Sequence, residues 1–263
     1  MIRRVLITSI IILLLPMKIS HAGAGSFTII GGSTFSTSKV TIQHIIDTSA
    51  SVNYGGAGYV TIGKVGAGSI KYYDIVTLSS LIDTLRLIGS THQIDSAKLM
   101  LSVHAAASAG DSVFVSVYEI LRTYVPGDGG CGVTWDSAFA TGDAGCSGTP
   151  AAWGTAGCQN TTTDRKSTRE TVTGHPDSVL MTAGVADADD SIYFYISGAT
   201  IADTTNFKGL LLMPVAYGGN DGVESKEVFH NLATAYPQIW VYYSDKVTAT
   251  ASARRRIVLG RPQ

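Results

Sequence analysis

Three carboxylates fall within four residues at Asp187-Ala188-Asp189-Asp190. Hard oxygen ligands at that density are what Ca2+ takes, with backbone carbonyls and water completing its shell. The spacing is not that of an EF-hand, and a solvated acidic turn would read the same way. Asp47, and Asp221 with Glu224 in a Gly-rich loop, are further oxygen donors that a fold could bring to an ion. Calcium is therefore the expected cofactor, with Asp187, Asp189, Asp190 and Asp47 as its ligands.

A second chemistry lies in the aromatic residues. Sugars stack their apolar faces on exposed Trp and Tyr rings, which offer a large amphipathic area with a polar handle. Trp135 and Trp153 stand in a Cys- and Gly-rich stretch, while Tyr72, Tyr193, Tyr195 and Tyr242 fall on the outward phase of strand-like segments. These six residues are expected to contact carbohydrate or another subunit; filling cross-strand pairs is the alternative use for outward tyrosines. The three cysteines, Cys131, Cys146 and Cys158, share one Gly-rich stretch. In an oxidising compartment they allow one intrachain disulfide, Cys131 to Cys146 or Cys146 to Cys158, with one thiol left free or intermolecular. No Cys-x-x-Cys spacing supports zinc.

Catalysis finds little support. A glycosidase needs two acids facing a cleft about 5 to 10 Å apart, and Asp128, Asp136 and Asp143 sit in a flexible Gly-rich segment instead. The string Gly66-Ala67-Gly68-Ser69 lacks the context of a nucleophile elbow. His92, His104, His175 and His230 are scattered. The chain is read as a non-enzyme.

Strands must position these groups. Leu99, Leu101 and Val103 alternate with Lys98, Ser102 and His104; Val113, Val115 and Val117 with Ser112, Ser116 and Tyr118; Ile192, Phe194 and Ile196 with Tyr193, Tyr195 and Ser197. Period-2 alternation of this kind predicts half-buried strands. Ile239, Val241 and Tyr243 predict another, and Leu210 to Met213 a fully buried one ended by Pro214. Segments 26–30, 40–46 and 59–62 are shorter candidates. Gly-rich turns separate them. One helix is expected, over Ser178 to Ala188, where Val179, Leu180, Ala183 and Val185 fall near helical spacing. Many short strands joined by such turns predict an all-β, jelly-roll-like sandwich. Residues 127–174 break the rhythm, as an ordered insertion pinned by the disulfide or a functional loop.

Composition fits this picture. The chain has 263 residues, 45% hydrophobic and only 15% charged, with 29 Gly and a net charge of -1. That is enough apolar material for a sizeable core and excludes both disorder and a collagen-like fibre. Residues 1–22 read as a secretory signal: Arg3 and Arg4, an apolar run from Val5 to Leu15, and a Ser20-His21-Ala22 cleavage site. The apolar run is shorter than the roughly 20 residues of a spanning helix. Removing it takes away Arg3, Arg4 and Lys18 and leaves a mildly acidic surface, which lacks the basic stripe a nucleic-acid partner needs.

A series of short blocks carries a family resemblance. Asp47 with Asn53-Tyr54-Gly55, Ile94-Asp95-Ser96-Ala97-Lys98-Leu99-Met100-Leu101, Val115-Ser116-Val117-Tyr118, Val133-Thr134-Trp135, Phe207-Lys208-Gly209-Leu210-Leu211-Leu212 and Pro237-Gln238-Ile239-Trp240-Val241-Tyr242-Tyr243 resemble the DNRLRE domain family in order and approximate spacing. That family is also described among carbohydrate-binding modules and disaggregatase-related surface proteins. The resemblance implies a secreted jelly-roll β-sandwich found on cell surfaces and beside polysaccharide-degrading enzymes. Where the family has an Arg-x-Leu-Leu-x-Phe-Asp strand, this chain has Tyr72-Tyr73-Asp74-Ile75-Val76.

The expected organisation is a signal over 1–22, an N-terminal extension over 23–37, the sandwich over 38–246 and a C-terminal tail over 247–263. Phe27, Ile29 and Ile30 in the extension, and Ile257, Val258 and Leu259 in the tail, are apolar strings outside the expected sandwich. Either could add a strand to a neighbour's open sheet edge, or fold back on its own subunit. A secreted, non-catalytic protein that assembles with copies of itself into a filament, tube or layer is the first functional expectation. A stand-alone carbohydrate-binding module is the second, and a small polysaccharide-active enzyme the third.

Overall fold

The computed structural model describes residues 25–30, 41–54, 59–65, 70–78, 81–106, 112–127, 130–141, 148–182, 190–215, 228–231 and 237–246. The alternating segments pair as antiparallel ladders. The longest strand, β5 (His92–Ala106), is paired on one side by β11 (Asp190–Ser197) and on the other by β14 (Gln238–Asp245), then β13 (Val228–Asn231). Outside β14 lies β1 (Gly25–Ile30), running from Gly25 opposite Tyr243 to Ile30 opposite Gln238. The second sheet is ordered β2 (Thr41–Ile46), β4 (Ile70–Thr77), β12 (Leu210–Val215), β6 (Ser112–Glu119) and β10 (Val179–Thr182).

One strand joins the two sheets. β3 (Tyr59–Val65) pairs through Tyr59–Ile62 with β13 and through Gly63–Val65 with β4. The switch falls at Gly63, whose φ of 144° is open to glycine and costly for a residue with a Cβ.

The sheets face each other across the main core, which takes the inward phase of each strand: Ala97, Leu99 and Leu101 of β5, Phe194 and Ile196 of β11, Ile239 and Val241 of β14, Val115 and Val117 of β6, Leu210 and Leu212 of β12. Helix α1 (Leu81–Thr91) closes one end with Leu81, Leu85 and Ile88, an i, i+4, i+7 stripe. The expected helix over Ser178 to Ala188 is not formed at its start: Val179–Thr182 are β10, paired with Ser112–Val115, and residues 183–189 lie outside the described set. Burial on the edge of a sheet overrides the short helical spacing. Pro214 lies inside β12 rather than ending it. β4 pairs only as far as Leu212, so beyond that point just the β6 side needs ladder bonds.

The outer face of the second sheet is not open. Ile45, Tyr73, Ile75, Tyr118 and Leu211 project from it into a second core, met by Tyr124, Val133, Trp135, Ala138, Trp153 and Cys158 of the segment after β6. That segment, expected as a loop or pinned insertion, carries a small sheet of β7 (Cys131–Gly132), β8 (Ser137–Thr141) and β9 (Ala151–Ala152), and forms a cap. Polar hooks fix it. Gln43 of β2 donates to Val133 O and accepts from Gly127 N, Asn53 donates to Val133 O, and Trp153 Nε1 donates to Thr134 O at 2.9 Å. Gly157 and Cys158 both have positive φ, and a Cβ on Gly157 would meet the Trp135 ring at 2.7 Å.

Inside the cap, the Asp164 carboxylate accepts from the backbone N–H of Gly154, Thr155 and Asn160, the Thr163 hydroxyl and Arg122 Nε. Burial pushes its pKa up, but these donors outweigh it and hold the carboxyl below the usual range. A second polar knot joins the cap's trailing segment to helix α2 (Gly198–Ala202): Glu170 accepts from Ser197 N and Thr200 Oγ1, while Ser197 Oγ caps the helix by accepting from Thr200 N.

Candidate functional site

With one face of the second sheet capped, the outer face of the first sheet is the one that no described element covers, and its composition follows from strand parity. Because Ala97 and Leu99 point into the core, Lys98 and Met100 must point out. Likewise Phe194 and Ile196 send Tyr193 and Tyr195 outward, and Ile239 and Val241 send Trp240 and Tyr242 outward. Register then brings them together: Lys98 is directly opposite Tyr195 on β11 and Trp240 on β14, and Met100 is opposite Tyr193 and Gln238.

The Lys98 ammonium sits 4.6 Å above the Tyr193 ring centroid and 4.5 Å from that of Trp240. The two rings lie 6.3 Å apart at 52° to each other, forming a shallow cleft with the cation in it. Tyr193 is 39% exposed. His175 extends the surface by stacking on Tyr195 at 3.5 Å and 12°. Among the described residues no carboxylate forms an ion pair with Lys98. Chemically the described side chains of the face offer π surfaces and one cation.

A groove of about 700 Å3 between α1 and α2 differs in kind. Its cations are engaged, Arg86 with Asp83 at 2.8 Å and the Lys246 ammonium on the carbonyls of Gly89 and Ser90, and the His92 ring lies beside Asp245 at 3.5 Å.

Of the residues expected to contact carbohydrate or another subunit, Tyr193, Tyr195 and Tyr242 share the open face. Trp135 and Trp153 do not: they are 6% and 5% exposed inside the cap, where Trp135 packs 4.9 Å from Tyr73 and Trp153 6.4 Å from Tyr124. Their surroundings supply apolar contacts and a carbonyl for the Trp153 indole, which suits rings used as core. Tyr72 is half-buried on β4, away from the other three. Lys98, Trp240 and His175 complete the face and were not singled out as contacts. The signal for the first two was present, since each stands between two apolar residues in an alternating strand.

Of the expected calcium ligands, Asp187 and Asp189 lie outside the described residues, and Asp190 begins β11 with its side chain likewise undescribed. Asp47 Oδ1 accepts from Lys71 N at 3.0 Å, tying the turn after β2 to β4. Cys158 is a free thiol buried in the cap, which removes the Cys146 to Cys158 pairing. Burial is the main cause that drives its pKa upward. Cys131 is not a free thiol, and Cys146 lies outside the described residues. Phe27, Ile29 and Ile30 form part of β1 on this chain's own β14; Ile257, Val258 and Leu259 lie outside the described residues. No helix among the described residues is long and apolar enough to cross a membrane. No family model matches the chain, and no curated protein matches it.

Proposed function

We propose that the protein is an exported, non-catalytic β-sandwich whose open aromatic face binds an extracellular polysaccharide. The observation that carries this reading is the convergence of Tyr193, Trp240 and Lys98 on a sheet face that also bears Tyr195 and Tyr242. Sandwich cores have no need of aromatic rings on a solvent face, whereas sugars bind by laying C–H faces against such rings. The leader-like residues 1–22 and the resemblance to the DNRLRE domain family support the same setting. Co-sedimentation with a panel of insoluble polysaccharides tests it. The native protein is expected to pellet with at least one of them, and the double variant Tyr193→Ala/Trp240→Ala to stay in solution while keeping its fold by circular dichroism. Equal pelleting of the two proteins would overturn the reading.

A second reading, self-assembly by strand addition, draws on β1. This strand is the outermost of its sheet, and among the described residues it pairs with β14 alone. Its register puts Phe27 and Ile29 opposite Val241 and Ile239, the core-facing phase of β14. A neighbour's β1 in the same slot would link copies into a chain, with calcium at Asp187 to Asp190 as a stabiliser and Cys131 paired to Cys146 in each copy.

A further inference from the structure

We infer that the ligand of the open face is an acidic polysaccharide, and that Lys98 is the residue that reads its charge. This rests on the saccharide reading above and narrows it to a chemical class. The Lys98 ammonium is held against aromatic rings. It lies 4.6 Å and 4.5 Å from two ring centroids, with no carboxylate paired to it among the described residues. In the groove between α1 and α2, by contrast, Arg86 is matched by Asp83, and Lys246 by the carbonyls of Gly89 and Ser90. Lys98 is therefore a positive charge stored on π faces.

That storage decides between ligands. A neutral pyranose that stacks on Tyr193 or Trp240 must push the ammonium off the ring, losing the cation–π contact and returning nothing to the cation. A sugar carrying a carboxylate or sulfate draws the ammonium into a charge-assisted hydrogen bond as it takes over the ring face, so the exchange is favourable on both sides. The face is also longer than one ring. From β11 across β5 to β14 it spans about 10 Å at ordinary strand spacing, with Tyr193 and Tyr195 on one flank and Trp240 and Tyr242 on the other. A run of sugar units fits this better than a single one. Single-stranded nucleic acid also combines charge with stacking, but it needs a cationic track along its backbone. Among the described residues one ammonium stands on the face, in a chain with net charge -1.

Isothermal titration of the signal-free protein tests the inference with four probes: polygalacturonate for carboxylate, dextran sulfate for sulfate, dextran as the neutral polymer, and oligo(dT). Lys98→Gln keeps a polar side chain of similar reach at a half-exposed position, and Arg86→Gln removes a cation from the groove instead. The native protein is expected to bind one of the acidic polysaccharides at least about tenfold more tightly than dextran, and Lys98→Gln to lose about that factor. Arg86→Gln should bind as the native protein does. Preference for polygalacturonate assigns the acid as a carboxylate, preference for dextran sulfate as a sulfate. Equal affinity for dextran and the acidic polymers, or an unchanged Lys98→Gln, overturns the charge inference and leaves the saccharide reading standing. Binding to oligo(dT) alone, or to none of the polysaccharides, overturns both.

Discussion

At the scale of single residues, two buried carboxyls have opposite consequences. Asp164 is surrounded by donors that favour its charged form. Asp74 of β4 is 1% exposed on the inward phase of its strand, its Oδ1 has no hydrogen-bond partner, and burial raises its pKa well above the usual carboxylate range. The linkage follows from the direction of each shift. A lowered pKa gives Asp164 a contribution to stability that is present above the unfolded-chain value near 4 and lost as pH falls through the folded value. A raised pKa gives Asp74 the reverse: its contribution is fullest below about pH 4 and is lost as pH rises through its folded value. Melting curves across pH therefore have a distinct expectation for each variant. Asp164→Ala should lower stability at neutral pH by about 3 kcal/mol, since it strands three backbone donors and Arg122, and the deficit should shrink in acid. Asp74→Asn should flatten the decline with rising pH. An Asp164→Ala deficit that is the same at pH 3 and pH 7 would contradict this assignment of the carboxylate.

None of that was legible in the sequence. Asp164 and Asp74 stand in no motif, and their roles come from what long-range folding places around them. The outward aromatics are the contrary case: parity alone puts Tyr193, Tyr195, Trp240 and Tyr242 on one face once the strands are known. What parity could not supply was the order of strands, so that Lys98 of β5 would lie between β11 and β14 rather than beside another pair.

Among the elements, the strands with period-2 alternation formed as read, because one buried face enforces register. The helices went differently. The Leu81, Leu85 and Ile88 stripe of α1 was in the sequence and was overlooked beside the weaker pattern at Ser178 to Ala188, part of which is β10. For residues 127–174 the sequence leaves a disulfide-pinned ordered insertion and a functional loop both open, because the apolar residues there lack any period. Trp135, Trp153 and Val133 are placed by hydrogen bonds from Gln43 and Asn53 to the chain around them, and such contacts leave no periodic trace.

β1 carries the prediction at this scale. Its six-residue ladder on β14 is the same whether the strand comes from its own chain or from a neighbour. Negative-stain microscopy of the signal-free protein, with calcium and with chelator, should show filaments or sheets that require calcium if strands are exchanged. A variant lacking residues 23–35 should remain a folded monomer. Unchanged assembly of that variant would rule out exchange through β1, and dispersed particles in every condition would leave β1 as an intramolecular edge strand.

For the whole molecule, the division of labour is between two faces. The second sheet spends its outer face on a cap with its own core, while no described element covers the outer face of the first sheet, whose described side chains include four aromatic rings and one cation. A protein built only to be stable could cover both sides, and this asymmetry is the reason binding is proposed for the first. The three tryptophans make this directly measurable, because Trp135 and Trp153 are buried in the cap and Trp240 alone stands on the open face. The decisive measurement is acrylamide quenching of tryptophan fluorescence, with and without a saturating acidic polysaccharide, in the native protein and in Trp240→Phe. The polysaccharide is expected to shield a quenchable fraction in the native protein, and this fraction is expected to be absent from Trp240→Phe. Binding that leaves quenching of the native protein unchanged would place the ligand elsewhere and contradict the account.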